Sequence, residues 1–77
     1  MTIEISELDQ MQAAYRTAVD EWVAAIREEE ALASCNHSEA ELDAWEAAGF
    51  REEAARSKAK DAKRDYEDAL REKFFNF

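Results

Sequence analysis

The sequence predicts an all-α protein, folded as an antiparallel hairpin of two long helices. The chain of 77 residues has no proline and only one glycine, so almost nothing in it opposes helix formation. Apolar residues recur at steps of three and four along both halves of the chain, which is the spacing of one helix face. The only break falls at residues 33–38, and a connection this short makes neighbouring helices antiparallel.

The turn is predicted from capping chemistry. Ser38 and Glu41 have the S-x-x-E spacing of a capping box, in which the serine oxygen accepts a free amide of the first helical turn. Asn36 belongs to the few residue types that tolerate the left-handed conformation in which helices often end. We therefore expect one domain over residues 1–77, with the turn at about 35–38 and a second helix at about 39–74.

The first helix is expected at about residues 7–34. Ser6 offers a capping hydroxyl, and Glu7 and Asp9 follow it beside the positive end of the helix dipole. Residues 1–5 alternate like a strand that has no partner, and we expect them to form an extended lead-in. The apolar stripe of this helix contains Leu8, Met11, Tyr15, Val19, Trp22, Ile26 and Ala33, with Ala18 and Ala25 beside it.

The stripe of the second helix is bulky at both ends and consists of alanine in the middle. Folding the chain back at the turn places Trp22 near residues 48–55 and Tyr15 near Ala59. Large side chains on one helix then face small ones on the other, as an interdigitated core requires. The stripe contains Leu42, Trp45, Ala48, Ala55, Ala59, Ala62, Tyr66, Leu70 and Phe74.

The open end of the hairpin carries an aromatic tail. Phe74 and Phe77 are expected to cover Ile3 and Ile5, whereas Phe75 points away from the stripe. One neighbouring helix cannot cover rings on both faces of a terminal turn. The tail is therefore predicted either to contact a second subunit, which we favour, or to bind another protein.

Two features favour self-association. A solitary hairpin buries only one face of each helix, which makes its stability marginal. Phe50 lies on the side of its helix opposite the stripe, where an aromatic ring lacks a partner unless it is one of the single exposed apolar residues that are common on protein surfaces. We expect a homodimer that forms a four-helix bundle, with interface residues Trp22, Trp45, Phe50, Phe74, Phe75 and Phe77.

The charge is distributed unevenly. Residues 1–50 hold 12 acids and 2 bases, whereas residues 51–77 hold 7 acids and 8 bases. One end of the hairpin is therefore strongly acidic, and nucleic-acid binding is not expected because phosphate contacts need a positive face. The basic cluster at residues 58–64 is interrupted by Asp61 and is followed by Asp65, which indicates a solvent face crossed by salt bridges.

No catalytic or metal-binding constellation is evident. Cys35, His37 and Glu41 are the candidate metal ligands, but structural zinc sites use four ligands in paired spacings, and this chain has one cysteine and one histidine. Glu29 and Glu52 lie within the apolar stripes, where they indicate polar gaps open to water or to a partner arginine. We expect no cofactor, no metal and no enzymatic activity.

The most plausible function is that of a structural or interaction protein. No apolar run approaches the ~20 residues of a membrane span, and no signal peptide is evident, so a cytoplasmic location is expected. The predicted role is a self-associating helical hairpin that serves as a scaffold, adaptor or tether. The alternative is an acidic decoy that mimics the charge of nucleic acid and blocks a basic site.

Overall fold

A computed structural model describes residues 3–33 and 38–75 of the chain, which form two packed α-helices. Helix α1 spans Ile5–Ala33 and helix α2 spans Glu39–Phe75. They are antiparallel, because Glu28 near the end of α1 pairs with Arg51, whereas Ile3 before α1 is bonded by Lys73. The molecule measures 56 × 18 × 13 Å, the dimensions of one layer of two helices. The predicted all-α hairpin is confirmed.

The ends of the helices show which capping groups operate. Ser38 caps α2 as predicted, because the amide of Glu41 donates to Ser38 Oγ at 3.2 Å and the amide of Leu42 donates to the Ser38 carbonyl. At α1 the prediction of Ser6 as the cap is wrong. The helix begins at Ile5, and the carbonyl of Glu4 accepts the first free amides.

The earlier start of α1 has a tertiary cause. Lys73 Nζ donates to the carbonyl of Ile3 at 2.9 Å and attaches the segment before the helix to α2. The predicted end of the first helix at position 34 and the turn positions 35–37 lie outside the described residues.

The core consists almost entirely of alanine. Among the described residues, Leu8 is the one large side chain that is buried, and the other buried residues are Ala18, Ala48, Ala59 and Ala69. Half-buried residues continue the core of α1 at Met11, Tyr15, Trp22, Ala25, Glu29 and Leu32, and that of α2 at Glu52, Ala55, Ala62, Tyr66 and Lys73. These inner positions repeat every seven residues in two series per helix, which is the spacing of coiled-coil packing.

The predicted stripes are right from Leu8 through the middle of the hairpin, and wrong near the turn and at Phe74. Trp22 lies opposite the predicted residues 48–55, since it is bonded to Glu52. Near the turn, however, Ile26, Leu42 and Trp45 are 40%, 49% and 43% exposed. Steps of 3.6 residues depart progressively from the seven-residue repeat that two supercoiled helices follow, so an apolar stripe extrapolated along a straight helix leaves the seam at Ile26 and Leu42. Trp45 keeps the seven-residue spacing to Glu52 and Ala59 and is nevertheless only partly covered.

The aromatic tail is the clearest correction. Phe74 is 64% exposed and Ile5 is 56% exposed, so Phe74 does not cover the open end. The inner series that contains Ala59 and Tyr66 reaches Lys73 instead. Phe77, the other residue expected to cover this end, lies outside the described residues.

Within residues 3–33 and 38–75, neither helix has an apolar stretch long enough to cross a membrane.

Candidate interaction surface

One side of the seam between the helices carries ion pairs, and we call it the ionic flank. Arg51 pairs with Glu28 at 2.5 Å, and Lys58 pairs with Glu21 at 3.0 Å. On both helices these residues stand one position before an inner residue, so they meet across one edge of the seam. Each partner is about half exposed, and such pairs contribute at most about 1 kcal/mol each.

The opposite side carries most of the exposed apolar surface, and we call it the apolar flank. Its first members are residues that directly follow an inner residue in the sequence. They repeat every seven residues, starting at Ile5 on α1 and at Leu42 on α2. Eight large apolar side chains among the described residues are substantially exposed, and six of them belong to this flank. They are Ile5, Val23, Ile26, Leu42, Trp45 and Phe74, with half-buried Val19 and Leu70 among them.

Side-chain size differs between the two edges of the seam. The edge beside the ionic flank is lined on α2 by Ala48, Ala55, Ala62 and Ala69. The edge beside the apolar flank holds Tyr15 and Trp22 from α1 and Tyr66 from α2, all half-buried. The larger rings therefore lie where a further helical layer could cover them, and they extend the apolar flank into the seam.

Two interior carboxylates lie along this same edge. Trp22 Nε1 donates to Glu52 Oε1 at 2.7 Å, so the indole supplies the partner that a half-buried carboxylate requires. Glu29 extends toward α2 at the chain's single glycine, where its Oε2 lies 3.4 Å from the position that a Cβ on Gly49 would occupy. Glu29 and Glu52, which were predicted to be polar interruptions of the apolar stripes, are thus half-buried. Glu52 accepts a specific hydrogen bond from Trp22.

A third acidic residue lies at the start of α2. Glu41 is half-buried, and its Oε2 is buried without a hydrogen-bond partner. Its backbone amide takes part in the Ser38 cap. Cys35 and His37, the residues proposed with Glu41 as metal ligands, lie outside the described residues. Within residues 3–33 and 38–75, no three His, Cys, Asp or Glu side chains are grouped as metal ligands would be.

Four cations lie in the middle of the apolar flank. Arg16, Arg56, Lys60 and Lys63 form no ion pair with any described residue, although the chain has a net charge of -9. By contrast, the bases of the ionic flank and those of the outer face of α2 are paired with acids, as in Arg64 with Asp61 and Arg71 with Glu67. Sequence spacing alone does not separate the two sets, because Lys58, Lys60, Lys63 and Arg64 lie in one mixed run of charge.

The half of the hairpin that contains the turn is strongly acidic. Residues 20–55 hold 11 acids and 2 bases, a net charge of -9, and the rest of the chain holds 8 of each. Six exposed acids of this half form no ion pair with the described residues. They are Asp20, Glu30, Glu39, Asp43, Glu46 and Glu53.

The predicted interface residues do not share one surface. Trp45 and Phe74 belong to the apolar flank, and Trp22 borders it. Phe50 is 76% exposed on the outer face of α2, and Phe75 is 67% exposed on the other side of that helix from Phe74. Val23 and Ile26 were not predicted as interface residues, although a seven-residue count from Ile5 finds Ile26.

Comparison of the chain with known protein families, with curated proteins and with solved structures finds no match.

Proposed function

We propose that this protein is a non-enzymatic helical interaction module that self-associates through its apolar flank and acts as a scaffold, adaptor or tether. The main observation in support of this proposal is that six of the eight exposed large apolar residues in the described part of the chain lie on one flank. Exposed apolar residues scattered over a surface need no explanation, but a contiguous set indicates an interaction site. Packing a second hairpin there completes a four-helix bundle.

The composition of the core supports the same proposal. In the part of the chain that the structure describes, one leucine and four alanines are buried, so the hairpin alone excludes little apolar surface from water. Tyr15, Trp22 and Tyr66 are only half-buried at the edge of the flank. A second layer would remove these rings from water, and each large side chain transferred fully contributes about 1.5–3 kcal/mol.

Two matched substitutions test this proposal. Ile26→Gln places an amide on the apolar flank, whereas Phe50→Gln removes a more exposed ring from the outer face. We expect sedimentation equilibrium at micromolar concentrations to give a dimer for the parent and for Phe50→Gln, and a shift towards monomer for Ile26→Gln. A parent chain that sediments as a monomer at high micromolar concentration refutes self-association.

A second candidate function is an acidic decoy. The observation that favours it is the net charge of -9 over residues 20–55, with exposed carboxylates that have no cationic partner in the described structure. A decoy binds a basic site mainly by charge, so its affinity falls steeply as salt is raised. Binding through the apolar flank depends much less on salt between 50 mM and 500 mM, because apolar contacts contribute most of it, and this comparison distinguishes the two functions.

A further inference from the structure

We infer that the apolar flank is covered by a second copy of this chain in antiparallel orientation, with the turn of each hairpin beside the open end of the other. The inference rests on the self-association proposed above and adds the orientation of the partner. A two-fold axis at right angles to the hairpins relates the copies. In that arrangement α1 packs along the partner's α1, and α2 packs along the partner's α2.

The surface of the single hairpin is large enough for such an interface. A compact monomer of 8.8 kDa exposes about 4800 Å², whereas this chain exposes 6003 Å². The excess is on the order of 1200 Å², and a standard interface buries about 800 Å² per partner. A second copy therefore brings the surface of each chain close to that of a compact protein.

On α2 the apolar residues of the flank are concentrated at the two ends of the helix, and an antiparallel copy joins these ends. Leu42 and Trp45 lie near the turn, while Leu70 and Phe74 lie at the open end of the same helix. They are almost equally far from position 57, the midpoint of α2. If the partner is reversed about this midpoint, Leu42 and Trp45 of each chain lie against Leu70 and Phe74 of the other chain. The dimer contains this contact twice.

The charged middle of α2 is complementary to itself only when the partner is reversed. Glu52 and Glu53 precede position 57, and Lys60 and Lys63 follow it at comparable distances. Reversal therefore places the acids of each chain beside the lysines of the other. The two lysines have no acidic partner in the single hairpin, and these contacts provide one.

A parallel pair would bring like charges together. In that orientation α1 packs on the partner's α2 at the same height, so Arg16 meets Arg56 and Lys60. The two turn halves, each with a net charge of -9, would also lie side by side. In the antiparallel pair each acidic half lies beside the half whose acids and bases balance, so charge repulsion favours this orientation.

Cross-linking measures the orientation directly. With Cys35→Ser removing the one natural thiol, Leu42→Cys chains and Leu70→Cys chains are prepared separately, mixed and treated with a short bismaleimide. In an antiparallel dimer the two sites are adjacent, so the mixture gives the mixed product and neither chain alone is linked. In a parallel dimer they lie about 42 Å apart along the helices, and no mixed product forms.

Charge reversal gives an independent readout on dimerisation. Lys60→Glu should raise the dimer dissociation constant by about tenfold, because it replaces two attractive contacts by two repulsive ones. Adding Glu53→Lys in the same chain should restore most of the affinity. Positions 53 and 60 are about 10 Å apart along one helix, so the rescue must come from the partner.

The outcomes separate the orientation from the proposed function. A monomer at every concentration removes both. A dimer whose identical Leu42→Cys chains cross-link to each other, or whose Lys60→Glu defect is not rescued by Glu53→Lys, overturns the antiparallel arrangement and leaves self-association intact.

Discussion

At the scale of single residues, the bond between Trp22 and Glu52 is the best-defined polar contact between the helices. Its 2.7 Å length and half-buried surroundings distinguish it from the exposed ion pairs of the ionic flank. Hydrogen bonds to charged groups contribute about 1.5–3 kcal/mol when they are shielded from water, and exposed pairs contribute less. This contact therefore determines which residues of α1 and α2 face each other at mid-length.

We expect Glu52→Ala to lower the free energy of unfolding by about 1–2 kcal/mol, because the indole N–H loses its acceptor in a half-buried site. Glu52→Gln keeps an oxygen acceptor at the same position and should lower it by less than half as much. Urea unfolding followed by circular dichroism measures both. Equal losses for the two variants would show that the negative charge, and not the hydrogen bond, carries the stability.

At the scale of the helices, the spacing of small residues controls how closely the axes approach. Ala48, Ala59 and Ala69 are fully buried on α2, and each admits the facing helix where a larger side chain would exclude it. Alanine runs of this kind bring helices to the near end of the usual ~8–10 Å range.

Ala59→Leu tests this packing. Ala59 is 2% exposed, so three extra carbon atoms must separate the helices or force strained rotamers, and we expect a loss of about 1–3 kcal/mol. The control is its exposed neighbour, since Lys58→Ala removes one surface ion pair and should change stability by at most about 1 kcal/mol. Thermal unfolding of both variants measures the difference. Similar losses at the two positions would mean that Ala59 is not an inner residue.

At the scale of the whole molecule, the hairpin is a thin rod with two different flanks. Its radius of gyration is 17.2 Å, against about 11–12 Å for a compact domain of this length. The ionic flank is satisfied within one chain, whereas the apolar flank leaves rings half-buried and four cations unpaired among the described residues. The proposed second layer on that flank would cover these rings and bring acids to these cations.

A matched pair of tail substitutions tests this description. Phe74 lies on the apolar flank beside Leu70, and Phe75 lies on the other side of α2 with nearly equal exposure. If the flank is the subunit contact, Phe74→Ala should lower the melting temperature by several degrees more than Phe75→Ala, and the difference should depend on protein concentration. A larger effect from Phe75→Ala would place the contact on the opposite side of the tail.

The local features of this protein were predictable from sequence because short-range chemistry decides them. The absence of proline, the helical spacing of apolar residues and the Ser38 cap specify two helices and a tight turn, and a tight turn makes the helices antiparallel. The middle of the seam was also predictable, since alanines on α2 can face the larger residues of α1 in one register. Net charge and its concentration near the turn follow from counting.

Only the tertiary structure decided which residues leave the seam at its ends. Two supercoiled helices follow a seven-residue repeat, and this repeat assigns the inner positions to Glu41 and Lys73 where apolar spacing had assigned Leu42 and Phe74. The sides on which the flanks lie depend on that same small rotation, since it turns Ile26, Leu42 and Phe74 outwards together. Helix propensity and apolar spacing along one helix contain no information about the second helix. Packing against the second helix is what sets the rotation of each helix about its own axis.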